Sequence, residues 1–514
     1  MNKNQIIYFS LAITVITIFI LYPCLKNGFV DWDDNEYVIE NMDIRVLSIQ
    51  NISKIFSTYY IGSYVPLTIL SFAIDYQIGR LNPAIYHLTN LIFHLLNSLL
   101  VFWAIYLLCK RGWISFLTAV LFAIHPLHVE SVAWIPGRKD VLYGFFFISA
   151  IISYLYYRIR GKERYYFLSL FFFIFSLLAK PMAITLPFVL IAIDHFVFNQ
   201  LHKKTLVKMI PMFILSIVFI YIGVDALHSA RALNQGSFTF PQRITIASSN
   251  YLVYITKTFV PIKLSCIYPI QNYWFAPFIL IALIVFLFLS YRYIKRIVVV
   301  MIFFTITILP VLQIIPAGQI LADRYTYICL TGLFYVFAET VRLIFLHANK
   351  TIKNIIIIVV VATISLYAFL ANRQCRVWKD GMSLWTYVIN NYPTISVAYN
   401  NRGAIRSHGE DYQGALHDFN QALRINPQHV NAYVNRGNVY SGLGNYDLAL
   451  NDYNEAIKID STNVDAYHNR AVIYFNRKEY NLALKDLLKI RDLGEEVPDE
   501  IFYYIRNALE KEDR

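Results

Sequence analysis

The sequence predicts an all-α protein in two parts, a polytopic membrane domain followed by a helical repeat solenoid. Three observations lead there. Apolar runs of roughly bilayer length, about 20 residues, recur from the N-terminus to residue 371 and then stop. Beyond that point the chain turns polar and acquires a 34-residue period. Basic residues sit in short loops between the apolar runs, at Lys110-Arg111, Arg158–Arg164, Lys203–Lys208, Arg292–Arg296 and Arg342–Lys353. The net charge of +12 in a chain that is 57% hydrophobic is therefore the pattern of cytoplasmic loops. It is not a nucleic-acid footprint, and no nucleic-acid partner is expected.

The apolar runs place spans at 6–24, 84–108, 114–125, 140–157, 165–179, 182–198, 207–224, 273–290, 297–314, 325–345 and 354–371. With the basic loops inside, these eleven leave the N-terminus cytoplasmic and the soluble part outside, in a multi-pass arrangement that suits a bacterial inner membrane. Cys24-Leu25-Lys26 leads from the first run into the next loop with no small-residue cleavage site, so the run reads as an uncleaved span. Ile244–Val260 is long enough to cross, but Lys257 and Lys263 at its end do not suit a cytoplasmic exit. It is expected as an outer-surface or cavity-lining helix. The organisation is thus a membrane domain at 1–371, a linker helix or degenerate repeat at 372–397, repeats at 398–490, and a cap and tail at 491–514.

The candidate chemistry lies on the outer side. FVDWDDNEYVIEN, Phe29–Asn41, carries Asp31, Asp33, Asp34, Glu36 and Glu40 just after the first span. A membrane enzyme needs a carboxylate where lipid meets water, to take a proton from an incoming acceptor. His87, Asn90, His94 and Asn97, spaced three, four and three, make one stripe of the second span. Such a stripe lines a wet cavity or bonds a partner helix. His125, His128 and Glu130 follow, then Trp134, Arg138, Lys139 and Asp140. Without a third well-placed ligand, His-x-x-His-x-Glu is not expected to hold a metal. The five cysteines lie far apart with no CxxC spacing, so neither zinc nor a disulfide framework is indicated. Arg138, Lys180 and Arg324 are cations on the outer side, against the general trend, and a lipid-linked phosphate would match them. Each also has an acid at hand, Asp140 or Asp323 among them.

In the C-terminal part Ala398-Tyr399, Ala432-Tyr433 and Ala466-Tyr467 open successive units. Gly403, Gly437 and Ala471 follow, then Tyr412, Tyr446 and Tyr480, then Ala415, Ala449 and Ala483. This resembles the tetratricopeptide repeat, with small residues where two helices cross and aromatics filling the gaps. Asn401, Asn435 and Asn469 recur at one position, each followed by an arginine. Their amides could hold an acceptor peptide's backbone.

The membrane half also resembles a family. FVDWDDNEYVIEN, YVPLTILSFAIDYQI, NPAIYHLTNLIFHLLN, LFAIHPLHVESVAWIPGRKDVL, AKPMAITLPFVL, SNYLVYITKTFVPIKLSCIYP and ILADRYTYI are similar, in order, to the transmembrane-and-TPR O-mannosyltransferases of the GT-C superfamily. Val65 in YVPL departs from the family, where a basic residue is expected. The resemblance implies a GT-C-type fold of about eleven spans, an outward active-site cavity, and a sugar donor on a polyprenyl monophosphate. It implies that Asp33-Asp34 supply the catalytic carboxylate, with Asp33 favoured, and that Arg138, Lys180 and Arg324 hold the donor phosphate. His87, Asn90, His94, His125, His128, Glu130, Asp140 and Tyr325 are expected to line the cavity. It further implies an inverting displacement at the anomeric carbon, no cofactor beyond the lipid-linked donor, no required metal, and a protein acceptor held by the repeats over the cavity mouth. A lipid-linked oligosaccharide ligase and a non-enzymatic repeat scaffold are the alternatives. The first fits the early acidic pair poorly, and the second has no need of outward carboxylates facing outward cations.

Overall fold

In the computed structural model, residues 1–199, 202–229, 238–312, 314 and 319–512 are described. Residues 230–237 between the expected spans at 207–224 and 273–290, Gln313 near the end of the 297–314 segment, and Asp513-Arg514 of the tail lie outside them. The chain forms two units, Met1–Asp380 and Gly381–Arg514.

The first unit is built from α1 (Lys3–Leu21), α2 (Ile49–Ser57), α3 (Pro66–Gly79), α4 (Pro83–Cys109), α5 (Gly112–Ile124), α6 (Val129–Ala133), α7 (Arg138–Arg160), α8 (Glu163–Ala179), α9 (Leu186–Phe196), α10 (Lys203–Ser229), α11 (Phe240–Phe259), α12 (Ala276–Ile308), α13 (Leu330–His347) and α14 (Lys350–Val377). Among the described residues seven helices are long and apolar enough to cross a membrane. The pair α5–α6, bent by 52°, makes an eighth. The shorter apolar segments Pro181–Phe196 and Ala276–Tyr291 and the 17-residue α8 account for the remaining expected spans. Phe288, Ile358 and Phe369 are 79%, 66% and 64% exposed, as lipid-facing side chains must be. The chain is a multi-pass membrane protein.

Local chemistry sets several boundaries. Asn82 caps α4 by accepting from the Ala84 amide, with Pro83 in the first turn. Pro126 stops α5, because a proline cannot continue the backbone ladder, and the chain folds back into the protein. Every residue from 125 to 138 is buried. This inward loop closes only because Gly137 has no side chain: a Cβ there would stand 2.8 Å from the Ser131 carbonyl oxygen. The basic loop expected between 290 and 297 is instead a kink inside the 33-residue α12, at Ile294 (φ −121°, ψ 34°). The segment expected at Ile244–Val260 is α11. It packs inward through Asn250, whose Nδ2 donates to the Ile320 carbonyl at 3.0 Å, and Tyr254, whose hydroxyl donates to the Ala322 carbonyl at 3.2 Å. α14 runs past the expected limit of 371, and this unit extends to Asp380. The linker expected at 372–397 is thus divided between the two units.

The second unit holds α15 (Gly381–Asn391), α16 (Ser396–His408), α17 (Tyr412–Ile425), α18 (Val430–Gly442), α19 (Tyr446–Ile459), α20 (Val464–Asn476), α21 (Tyr480–Asp492) and α22 (Asp499–Glu512). α16/α17, α18/α19 and α20/α21 pack as hairpins. At the crossings a Cβ on Gly403 would meet the Phe419 ring at 2.8 Å, and one on Gly437 the Tyr453 ring at 2.6 Å. A ring of buried pairs runs in register with the period. Arg402, Arg436 and Arg470 each clasp an aspartate sixteen residues on, Asp418, Asp452 and Asp486, through two hydrogen bonds of 2.6–2.9 Å.

Candidate active site

The acidic stretch is anchored at both ends. Gly28 donates its amide to the Lys379 carbonyl at 2.8 Å, and Asn27 Nδ2 donates to the Cys375 carbonyl at 3.0 Å. Tyr37 and Val38 sink into a small core with Tyr60, Val65, Phe72 and Tyr86. A wide turn, closed by the Glu40 amide on the Asn35 carbonyl at 2.8 Å, sends neighbouring side chains in different directions. Asp34 points inward and is 1% exposed, its Oδ2 accepting from the Val30 amide at 2.6 Å. Burial pushes its carboxyl well above the usual range. The Val30 amide opposes this, and the charges of Asp33 and Asp31 add to it. Asp33 is half-buried, and among the described residues no side-chain hydrogen bond or ion pair engages its carboxylate. The two adjacent acids therefore sit in different surroundings, one buried and one half-exposed.

The inward loop brings Trp134 to this carboxyl pair, fully buried and with its indole beside Asp34. Two cations lie against the Trp134 ring. Lys139 Nζ is 5.4 Å from its centroid and the Arg324 guanidinium 5.0 Å. Lys139 also lies 4.3 Å over the Tyr37 ring and donates to its hydroxyl at 3.3 Å. The charge of Asp33 acts on both Lys139 and Tyr37. Among the described residues Lys139 makes no ion pair. Arg324 donates from Nη1 to Glu130 at 2.5 Å, from its amide to the same carboxylate at 3.0 Å, and from Nη2 to Gln319 at 2.8 Å. Burial disfavours the Arg324 charge, but Glu130 outweighs it and holds the guanidinium protonated. Lys180 donates to Asp140 at 2.5 Å and lies 5.5 Å over Tyr325. Burial pulls its ammonium down, and Asp140 pulls it back up. Just before α13, Asp323 is buried and accepts from the Tyr268 hydroxyl at 2.6 Å. Burial pushes it up to about 8, with Glu130 adding and Lys257 opposing.

Asp33, Asp34, Glu130, Asp140, Lys180, Arg324 and Tyr325 thus come together. Other expected residues do not. Arg138 is fully buried and bonded on every guanidinium nitrogen. It bonds Asp75 at 2.6 Å, the Tyr86 carbonyl at 2.9 Å, Ser71 at 3.1 Å and Asn90. It is an internal strut joining α3 and α4 to the start of α7, with four of its five N–H donors engaged inside the protein. The polar stripe of α4 is corrected likewise: it faces packed backbone, not a cavity. Asn90 Nδ2 reaches the carbonyls of Val132, Trp134 and Ile135 at 3.0–3.3 Å. His94 bonds the Ala123 carbonyl and the Tyr327 hydroxyl, Asn97 bonds the Val141 carbonyl and Tyr327, and His87 bonds the Gly28 carbonyl. His125 reaches the Thr258 carbonyl at 2.9 Å and His128 the Phe122 carbonyl at 2.7 Å. With Glu130 on Arg324, the three residues of His-x-x-His-x-Glu go to three different partners. Through Asn90 the stripe holds the inward loop to α4, since buried backbone groups outside regular structure need side-chain partners.

Lys139 and Tyr37 are site residues that sequence reasoning passed over. The signal was present in Arg138-Lys139-Asp140 opening a helix, because adjacent helical residues diverge by about 100° and cannot share one task.

In the repeats, Asn435 Nδ2 donates to Asn400 at 3.0 Å and Asn469 Nδ2 to Asn438 at 2.9 Å. Asn401 accepts from Asn400 at 3.0 Å. These half-buried amides are engaged with one another across neighbouring repeats.

Family models described as tetratricopeptide repeat match residues 430–463 and 452–485, and one described as TPR repeat matches 408–444. Protein O-mannosyl-transferase TMTC3 of Homo sapiens is 24% identical over 470 residues, covering 79% of this chain and 50% of that protein. Protein O-mannosyl-transferase TMTC1 of Homo sapiens is 40% identical over 93 residues, covering 18% of this chain and 10% of that protein. Among solved structures, ArnT from Cupriavidus metallidurans bound to undecaprenyl phosphate aligns with a TM-score of 0.39 and 13% identity, over 91% of this chain and 80% of that one. The chain spans about half the length of the first human relative. Over most of its length the chain is similar to a TMTC protein O-mannosyl-transferase, and its C-terminal unit carries tetratricopeptide repeats.

Proposed function

We infer that this chain is an integral-membrane glycosyltransferase, moving mannose or a similar sugar from a polyprenyl-phosphate donor to a hydroxyl of a protein acceptor. The observation that carries the reading is the pairing of a half-exposed carboxylate, Asp33, with an ion-pair-free ammonium, Lys139, at the rim of a buried cation cluster. Asp33 takes the proton of the acceptor hydroxyl as its oxygen attacks the anomeric carbon. The sugar–phosphate bond breaks on the opposite face, its electron pair leaves with the phosphate, and the configuration inverts. Lys139, Lys180 and Arg324 stabilise the charge that grows on the leaving phosphate, in a site where low dielectric strengthens each contact. Glu130 and Asp140 hold Arg324 and Lys180 in place, and Asp34 fixes the loop through Val30. The repeats raise the local concentration of acceptor polypeptide. The acidic loop faces the outer side of a bacterial inner membrane, with the N-terminus inside.

The test is release of free polyprenyl phosphate from a short-chain polyprenyl-phosphate mannose by the purified chain, with and without EDTA. Release in both conditions, falling about 10²- to 10⁴-fold in Asp33→Asn with an unchanged melting temperature, supports the transferase. Turnover of a diphosphate-linked oligosaccharide alone overturns it in favour of a ligase.

A further inference from the structure

At the opposite end of the same helices stands a second charged centre. Glu339 in the middle of α13, 5% exposed, receives three arginines. Arg111 from the start of α5 donates at 2.9 and 3.2 Å, Arg342 at 2.9 and 2.8 Å, and Arg296 of α12 closes the set. Three guanidiniums on one carboxylate leave an excess of two positive charges. The side chains of Arg111, Arg296 and Arg342 are 39%, 57% and 25% exposed, so N–H groups remain open to an external anion. Lys295 adjoins them, with its Nζ on Asn199 at 3.3 Å.

From this centre a groove of about 340 Å³ runs between α4, α7, α9, α12 and α13. Its walls are apolar, among them Val101, Ile105, Ile148, Val189 and Phe303, while Lys295, Arg296 and Tyr335 stand at one end. Along α13, Glu339 lies about 14 Å of helix rise beyond Leu330, so the groove's charged end is remote from Asp33 and Arg324. The combination is an apolar slot with surplus cations at its mouth. It matches an amphiphile with one anionic head and a hydrocarbon tail lying in the same leaflet.

We propose that this groove is a binding site for an anionic phospholipid, with its phosphate on Arg111, Arg296 and Arg342 and one acyl chain between α4, α9 and α12. The charge excess selects the head group. A zwitterionic lipid brings a choline cation along with its phosphate and leaves the net excess of two charges in place, an anionic lipid reduces it, and a bare anion would leave the apolar slot empty. The site is separate from the candidate active site and stands whatever reaction occurs there.

The test is native mass spectrometry of the full chain after titration with phosphatidylglycerol or phosphatidylcholine of identical acyl chains. Wild-type protein is expected to retain phosphatidylglycerol preferentially. In Lys295→Gln with Arg296→Gln the preference is expected to fall about five-fold for each basic side chain removed, while melting temperature and polyprenyl-phosphate release stay at wild-type values. Ala192 of α9 also lines the groove, and Ala192→Phe, which narrows it without removing a charge, is expected to lower retention of phosphatidylglycerol. If the double variant does not fold, Arg296→Gln alone is read, with a loss of about five-fold expected. Equal retention of both lipids by wild-type protein overturns the proposal, as does an undiminished preference in the charge variants. Displacement of phosphatidylglycerol by polyprenyl phosphate at equal concentration also overturns it, since the groove would then belong to the donor.

Discussion

Arg138→Met separates a strut from a substrate ligand. The guanidinium donates to Asp75 at 2.6 Å, to the Tyr86 carbonyl at 2.9 Å, to Ser71 at 3.1 Å and to Asn90. Neither side chain of the ion pair has appreciable contact with solvent. Methionine fills much of the same volume but leaves the Asp75 carboxylate buried, with only the Thr89 hydroxyl at 2.9 Å as a side-chain partner. Removing one member of such a pair costs about 3–5 kcal/mol, a large part of the roughly 5–15 kcal/mol that stabilises a folded domain. The Tyr86 carbonyl and Asn90 Oδ1 lose their donor as well. The assay is thermal unfolding and monodisperse yield in detergent, for Arg138→Met, Asp75→Leu and the double variant. Both single variants are expected to unfold at clearly lower temperature. The double variant is expected to recover most of the loss, because the partnered charge is removed along with its counter-charge. An Arg138→Met protein that melts like wild type yet fails to bind donor would refute this reasoning and return Arg138 to the phosphate site.

Lys139→Gln is expected to leave the melting temperature unchanged and to lower kcat/KM for the lipid-linked donor by roughly 10- to 100-fold, the loss of one charged hydrogen bond. Steady-state kinetics at varied donor would show it. Asp323 titrates at about 8 in the fold against 3.8 as its ordinary value. The folded chain therefore keeps a proton that the unfolded chain gives up near pH 4. Its contribution is complete below that pH and is lost as pH rises towards 8. Melting temperature is expected to fall across pH 5 to 8, and less steeply in Asp323→Asn. In the repeats, Asp452→Ala removes both hydrogen bonds from Arg436 and is expected to cost about 2–3 kcal/mol. Faster hydrogen exchange in α18 and α19, with the first unit unaffected, would be the readout.

Much of the architecture was legible in the residues. Each of the eleven expected segments is helical, because a bilayer-length apolar run has few other ways to satisfy its backbone. The 34-residue period placed Gly403 and Gly437 at helix crossings, where a Cβ would strike Phe419 or Tyr453. It also carried Asp418, Asp452 and Asp486, whose pairing with the arginine ladder shows only when both helices of a hairpin are in view. Sequence also singled out the acidic stretch at Asp33-Asp34 as one of the few places where charge gathers against the apolar trend.

What the residues left open was which of several adjacent polar groups faces which way. Asp33 and Asp34 are chemically alike in the chain. A wide turn at 35–40 buries one against Val30 and leaves the other half exposed. Arg138 and Lys139 are alike too, until the first turn of α7 directs one to Asp75 and the other to Tyr37. The stripe His87, Asn90, His94 and Asn97 has one periodicity whether it faces water or backbone. The carbonyls that occupy it come from the inward fold at Val132, Trp134 and Ile135 and from Gly28, Ala123 and Val141. Composition and period are local properties, so they specify helices and their faces. The partner each face meets depends on contacts between residues tens to hundreds of positions apart, such as Arg324 with Glu130, and those arise only when the helices pack.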